Sequence, residues 1–339
     1  MKKKLNIAII GLGYWGPNLV RNFQNNKNCK IVALCDLDNS LLKKYRIKFP
    51  DSKFFNDFKK LLKCKDIDAC VIATPVATHF DIALNALKNN KHVFVEKPLA
   101  DSSSKCKKLI NLANKRNLIL FVDHTFLYTD AVQALKKYSL KKNFGKKLYY
   151  DSTRINLGLI QNDINVLWDL AVHDLSILSY IYKEKPLSVS AIGHQHFPSK
   201  PITSAFMTLK YKSNFVAHIN VSWLSPVKIR QTILAGSNKM ILYNDLEKKN
   251  KITVHDKGVN VIKDQNSSKN LVKYKIGGLH MPKLSNKEAL SEAVLDFIDS
   301  ILKNRQPTSN GNLAISIVKI LESADKSMNL MGSSVKINL

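Results

Sequence analysis

The sequence predicts an α/β protein: an N-terminal doubly wound parallel sheet, then a C-terminal α+β domain with a large, mostly antiparallel open sheet. Three features carry that reading. Short apolar runs alternate with helical patterns up to about residue 125. A glycine-rich turn, GLGYWG, joins the first run to the first helix. Beyond about residue 145 most apolar runs follow one another directly. Strands that are apolar throughout and separated by helices pair in parallel, covered on both faces. Strands joined directly pair antiparallel.

In order, LNIAII (5–10) is the first strand, with a helix near 14–26. KIVALC (30–35) precedes a helix near 39–48, and DACVIA (68–73) one near 78–89. HVFVE (92–96) leads to a helix near 102–115 and then to LILFVD (118–123). KKLYYDSTRI opens the second part as a strand, and one long helix covers about 163–182. LSVSAIGHQHF, AFMTLKY, FVAHINVSWL, RQTILAG, KMILYN and KITVHD are strands, while the Gly- and Lys-bearing stretches at 256–283 read as loops. Helices near 285–303 and 312–330 close the chain. The expected domains are 1–125, 126–310 and 311–339, the last a helix and tail packing back on the other two.

The 339 residues suit about two domains, and 45% of them are apolar, enough to bury substantial cores. Lys and Arg number 53 against 26 Asp and Glu, a net charge of +27, and only six of the 53 are Arg. The lysines are spread along the chain. Nucleic-acid readers concentrate charge on one face and use Arg for bidentate contacts, so no nucleic-acid partner is expected. A dispersed basic surface still favours an anionic substrate. Cys29, Cys35, Cys64, Cys70 and Cys106 form no CxxC, which points to reduced thiols in the cytoplasm. The start MKKKLNIAIIG has signal-peptide charge, but its apolar run is short and Gly11 and Gly13 stand where a cleavage site would be. No membrane span is expected, since no run approaches about 18 apolar residues.

GLGYWG sets Gly11, Gly13 and Gly16 between strand and helix. A dinucleotide site needs a tight turn there, bare backbone against the pyrophosphate, and close packing of helix on strand. The helix N-terminus adds N–H groups and positive dipole. The second strand ends in Asp36, 20 residues past Gly16. Such an acid is either a turn or cap residue, or the acceptor for the ribose hydroxyls of NAD, where it repels the 2′-phosphate of NADP. NAD is expected, with NADP less favoured and Arg46 the nearby cation that argues for it. HVFVEKPLA (92–100) brings Glu96, Lys97 and Pro98 to a strand end, where an open parallel sheet faces its ligand crevice. Lys97 is then a surface cation or a donor to a reacting hydroxyl.

With ATPVATH (73–79), EKP (96–98) and the Asp169–His173 spacing, the glycine turn resembles the Gfo/Idh/MocA oxidoreductase family over nearly the whole chain. The resemblance implies a Rossmann-type first domain and an NAD(P)-dependent sugar dehydrogenase in which Lys97, Asp169 and His173 meet at the substrate. It implies cofactor contacts from Gly11, Gly13, Tyr14, Trp15, Gly16, Asp36, Thr74, Pro75, Glu96 and Lys97, with His79 supporting the pocket. It also implies a homodimer or homotetramer formed through the second-domain sheet. GYWGPNLVRNF (13–23), HTFLY (124–128) and INLG…NVLWDLAVHDLSIL (155–178) are similar to a subgroup oxidising the 3-hydroxyl of UDP-N-acetylglucosamine or its uronic acid for amino-sugar synthesis. On that likeness Arg154, Asn156 and Trp168 are expected at the substrate. Arg154 can pair a carboxylate, a pyrophosphate or a structural partner.

The stretch WDLAVHDLS (168–176) bears on the chemistry. At about 100° per residue, Leu167, Leu170, Ala171, Leu175, Ile177, Leu178 and Ile181 form one apolar stripe, with Asp169, His173 and Tyr180 opposite. An exposed i,i+4 Asp–His pair is common and worth only a few tenths of a kcal/mol. Beside a cofactor turn and EKP it reads as a base steadied by an acid. A His titrates near working pH and suits removal of a hydroxyl proton while NAD takes hydride. His173 is the expected base, Asp169 its orienting partner and Lys97 the electrostatic donor; whether His173 or Lys97 takes the proton stays open. Asp174 falls in the apolar stripe and is expected to be structural, bonded to backbone N–H groups or a Lys. A metal would need a third ligand such as His124 or His79, neither in a ligand spacing, so none is expected. An inositol or other polyol substrate, and a non-catalytic NAD-binding regulator, are the alternatives.

Overall fold

The apolar runs of the first part form one parallel sheet in the computed structural model, which describes residues 4–263, 270–285 and 287–339. Its strands are β1 (Leu5–Ile10), β2 (Cys29–Cys35), β3 (Lys53–Phe55), β4 (Ala69–Ile72), β5 (His92–Glu96) and β6 (Leu120–Asp123), in the order β3-β2-β1-β4-β5-β6. Helices α1 (Gly16–Asn25), α2 (Asn39–Lys48), α3 (Phe58–Leu62), α4 (Val76–Lys88) and α5 (Ser103–Lys115) connect them. Every residue of β4 and the centre of β5 is buried, as strands covered on both faces require. β3 and α3 escaped the sequence pattern because three and five residues are too few to show a period. Strand order reverses between β1 and β4, the switch point where such sheets bind ligands. All five cysteines are free thiols, and burial pushes those of Cys29, Cys35 and Cys70 up to about 12.

The chain divides into two compact units, Met1–Tyr128 with Lys287–Val318, and Thr129–Asn286 with Lys319–Leu339. The second begins with α6 (Asp130–Ser139) and β7 (Lys147–Leu157), then a π-helical turn over Leu167–Ala171 and α7 (Val172–Ile181). Strands β8 (Ser188–His194), β9 (Ser204–Lys210), β10 (Val216–Ser222), β11 (Leu224–Gly236), β12 (Met240–Asn244) and β13 (Ile252–His255) follow. β14 (Gly258–Lys263) and β15 (Asn270–Lys275) pair only with each other, and β16 (Leu279–His280) rejoins the large sheet. So the stretch read as loop carries strands, with 264–269 outside the described residues. Leu271, Val272 and Tyr274 of this hairpin are exposed, so no buried face marked it in the sequence. With β17 (Val335–Lys336), the sheet runs β16-β13-β12-β11-β7-β10-β9-β8-β17, and only β10 and β7 pair in parallel. One face is covered: Tyr150, Ser152, Ala217, Ile219, Met207 and Leu209 are buried. The other is open, with Ile192, Phe206 and Val216 exposed by 64%, 51% and 37%.

The helix expected near 285–303 is α8 (Ala289–Leu302), and it belongs to the first unit, inside the stretch read as one domain over 126–310. Its Phe297 meets Phe23, Phe94 and Phe121 at centroid distances of 6.2, 5.5 and 5.8 Å, and Phe94 stacks on Phe121 at 4.6 Å. Such aromatic contacts add to the burial of four large rings. Asp296 accepts the Tyr128 hydroxyl at 2.7 Å, and Glu288 pairs with Arg21 at 2.6 Å. The chain closes with α9 (Gly311–Asn329) and β17. Among the described residues no helix is long and apolar enough to cross a membrane.

Candidate active site

At the end of β1, Gly11 has φ +94°, and a Cβ there would lie 2.6 Å from the Ala73 carbonyl oxygen. A Cβ on Gly16 would lie 2.5 Å from the Gly11 carbonyl oxygen, so only glycine fits at either place. Gly13 has nothing within 4 Å of its Cβ position, which leaves its backbone open to approach. Trp15 caps α1 with no side-chain acceptor, and Tyr14 is 93% exposed. Pro75 likewise caps α4 without a side-chain bond. Asp36 accepts the Leu12 and Asp38 N–H groups at 2.6 and 2.9 Å, one on each oxygen. It is therefore partly a turn residue, and each oxygen keeps a lone pair for a ribose hydroxyl. Arg46 lies over the Phe54 ring at 4.7 Å. These features fit a dinucleotide.

At the neighbouring strand ends, buried His79 has its ring nitrogens 2.8 Å from the Thr74 and Pro98 carbonyl oxygens. It ties the loop after β4 to the turn after β5. The Lys97–Pro98 bond is cis, and Lys97 is half-buried. Glu96 is the register partner of Asp123 on β6, and His124 follows, with Asp123 and His124 each 1% exposed. Burial pushes the Glu96 carboxyl well above its ordinary range and Asp123 up to about 6. Burial, with the Lys97 charge adding, depresses His124 to about 3. Neither His124 ring nitrogen has a hydrogen-bond partner among the described residues, which also suits a site built for a ligand. The sequence reading passed over Asp123; a charged residue ending an apolar strand was the available signal.

In the second unit the expected single helix is broken into two kinds. The Val172 N–H donates to the Leu167 carbonyl, five residues back, which defines the π turn. Asn165 starts it, its Oδ1 accepting the N–H groups of Leu167 and Trp168 at 3.0 and 3.3 Å. Such turns recur at functional sites because they re-aim side chains. The segment is buried nearly all round; only Asp169, His173, Ser179 and Tyr180 are half-buried. Asp169 and His173 thus share the more open side, as the helical wheel predicts. Asp169 Oδ2 accepts the Trp223 indole N–H at 3.0 Å, a contact the sequence reading missed. A buried Trp whose N–H needs an acceptor was its signal. Gly158 allows the close packing, since a Cβ there would lie 2.8 Å from Asn156 Nδ2 and 3.0 Å from the Trp223 ring. Asn156 is therefore near Trp223.

One expectation for the substrate is corrected. Arg154 is 3% exposed and locked in a bidentate pair with Asp174, Nε to Oδ2 at 2.7 Å and Nη2 to Oδ1 at 3.2 Å. It answers the burial of Asp174 and is not presented to a ligand. Asp174 is structural as expected, but its partner is this Arg and not a Lys or the backbone. Trp168 donates its indole N–H to Asp325 at 2.7 Å, and Asn165 binds the other Asp325 oxygen at 2.8 Å. Trp168 thereby anchors the π turn to α9. Among the described residues, no group of three or more His, Cys, Asp or Glu side chains is arranged to hold a metal ion.

Arg154→Met is expected to leave the Asp174 charge buried and alone, costing about 3–5 kcal/mol in denaturant unfolding. Arg154→Met with Asp174→Leu removes both charges and is expected to recover most of that loss. Unchanged stability in the single variant, with only a raised KM, would return Arg154 to the substrate.

Comparison with known proteins shows the family. The family described as "Oxidoreductase family, NAD-binding Rossmann fold" matches residues 5–124, and the matching C-terminal domain of the same family covers 160–242. Inositol 2-dehydrogenase of Salmonella typhimurium is 26% identical over 189 residues, 53% of this chain and 55% of that protein. UDP-N-acetylglucosamine 3-dehydrogenase of Acidithiobacillus ferrooxidans is 31% identical over 146 residues, 42% of this chain and 45% of that one. The chain thus spans about half the length of these curated relatives. A crystal structure of the Acidithiobacillus enzyme shares the fold with a TM-score of 0.81 at 20% identity, over 97% of this chain and 99% of the other. The chain belongs to the Gfo/Idh/MocA oxidoreductase family.

Proposed function

We propose that the chain is an NAD-dependent dehydrogenase that oxidises the 3-hydroxyl of UDP-N-acetylglucosamine or its uronic acid to a 3-keto sugar, for amino-sugar and surface-polysaccharide synthesis. The observation that carries this reading is the Asp169–His173 pair, Asp169 on the π turn and His173 in the first turn of α7, with Asp169 held by the Trp223 indole. NAD, when bound at the Gly11–Gly16 turn, supplies the hydride acceptor. Asp36 holds the ribose hydroxyls and disfavours NADP, and Arg46, lying over Phe54, is engaged on an aromatic face. His173 takes the hydroxyl proton, and Asp169 steadies the imidazolium that results. Lys97 donates to the sugar oxygen and stabilises the charge that grows there. The net charge of +27 suits an anionic nucleotide sugar. Arg154 was the residue offered for a substrate carboxylate; its pairing with Asp174 puts the neutral sugar first. We place the protein in the cytoplasm, consistent with its free thiols.

A second reading, an inositol or other polyol as substrate, is favoured by the likeness to inositol 2-dehydrogenase. The two separate in one assay. Purified protein with NAD is expected to form NADH with UDP-N-acetylglucosamine or its uronate and not with myo-inositol; a 2-oxo acid is added in a parallel series to re-oxidise tightly held NADH. Reduction with inositol alone reassigns the substrate. His173→Ala is expected to lower kcat by about 10²–10⁴-fold with NAD affinity unchanged. Unchanged turnover would remove His173 as the base, and a wild-type protein that binds NAD yet turns over none of these substrates would point to a regulator.

We further propose a homodimer or homotetramer through the open face bearing Ile192, Phe206 and Val216. Sedimentation velocity at micromolar concentration is expected to show an assembly that Phe206→Lys weakens. A wild-type monomer contradicts the assignment.

A further inference from the structure

Glu96 and Asp123 end adjacent parallel strands as register partners, so their side chains leave the sheet on the same side. Register pairing on adjacent strands sets the two carboxyl groups side by side. Yet Glu96 Oε1 and Asp123 Oδ2 are buried, and neither has a donor among the described residues. Asp123 Oδ1 is satisfied by the Thr125 hydroxyl at 2.8 Å. Two ionised carboxylates offer acceptors only, and side by side out of water they repel. A single proton between Oε1 and Oδ2 supplies the missing donor for both oxygens and leaves one negative charge. That charge sits beside Lys97, the residue after Glu96.

The other polar groups around the pair are consistent with this count. His124, after Asp123, is neutral near physiological pH, because burial and the Lys97 charge depress it to about 3. Tyr128 feels the Asp123 charge but gives its hydroxyl to Asp296. His79 is occupied with the Thr74 and Pro98 carbonyls.

We propose that Glu96 and Asp123 share one proton, and that this singly charged acid pair positions Lys97 for the dehydrogenase reaction. The role given to Lys97 rests on the function proposed above; the shared proton does not. Both carboxyls bind protons more tightly in the folded chain than in the unfolded one. Their stabilising contribution is therefore complete below the ordinary carboxylate range near 3.8, and is lost as pH rises through about 6 for Asp123 and higher for Glu96.

Glu96→Gln and Asp123→Asn each put an amide donor where the shared proton lies and keep one negative charge. The double variant keeps the shape but has no charge. Infrared difference spectra at neutral pH, wild type minus either single variant, are expected to show a protonated-carboxyl stretch. Both single variants are expected to keep the wild-type melting temperature and to lose less turnover than the double variant does. The double variant is expected to bind NAD but to lose at least about tenfold in kcat, as removing a preorganised charge does. Its melting temperature is expected to lack the wild-type fall between about pH 4 and pH 6.

Absence of the infrared band overturns the shared proton. Single variants as slow as the double one overturn the charge as the cause. If the wild type oxidises no substrate, the dehydrogenase reading has failed, and the band and the melting profile still decide the pair.

Discussion

A carboxylate sealed in an apolar layer must find a cation, and in the second unit Asp174 finds Arg154. The Arg154 and Asp174 side chains are 4% and 3% exposed. Breaking such a pair is costly because it strands a charge; forming it fixes geometry more than it adds stability. Here it fixes the rotation of α7 against β7. With Asp174 turned onto the sheet, the preceding residue, His173, is carried to the flank, and the π turn sets Asp169 on the same side. The arrangement of the candidate base and its acid follows from one buried ion pair and one inserted residue.

The same rule governs the first unit. Three glycines let backbone approach backbone where the sheet reverses, which leaves little room for side chains and much for a ligand. Three of the polar groups at the strand ends have identifiable partners. His79 bridges two loops by their carbonyls, Asp36 closes the turn it also offers to a ribose, and Glu96 with Asp123 needs a proton to be satisfied. In both units, then, a buried carboxyl is matched by another group or by a proton: Asp174 by Arg154, and Glu96 with Asp123 by the proton proposed between them.

Much of this was legible in the sequence, and the limits were physical. Parallel strands announce themselves as unbroken apolar runs, and GLGYWG needs only its flanking strand and helix to be understood. The burial of Asp174 was readable from the wheel, but its partner was not, since Arg154 stands 20 residues earlier on a strand. The inward alternation of Tyr150, Ser152 and Arg154 was the clue. The Trp168 indole N–H goes to Asp325, a residue of α9 that no local pattern links to it. The place of α8 depended on where four phenylalanines gather, and the Glu96–Asp123 pairing depended on strand register. Both are tertiary facts that local patterns do not carry.

The most direct measurement is the fate of the hydrogen on the carbinol carbon. UDP-N-acetylglucosamine deuterated at C3 is incubated with the protein and NAD, and the nicotinamide is examined by NMR. Deuterium at the nicotinamide C4 is the result predicted. Deuterium that stays on the sugar, with NAD bound and the protein folded, would contradict oxidation at that carbon.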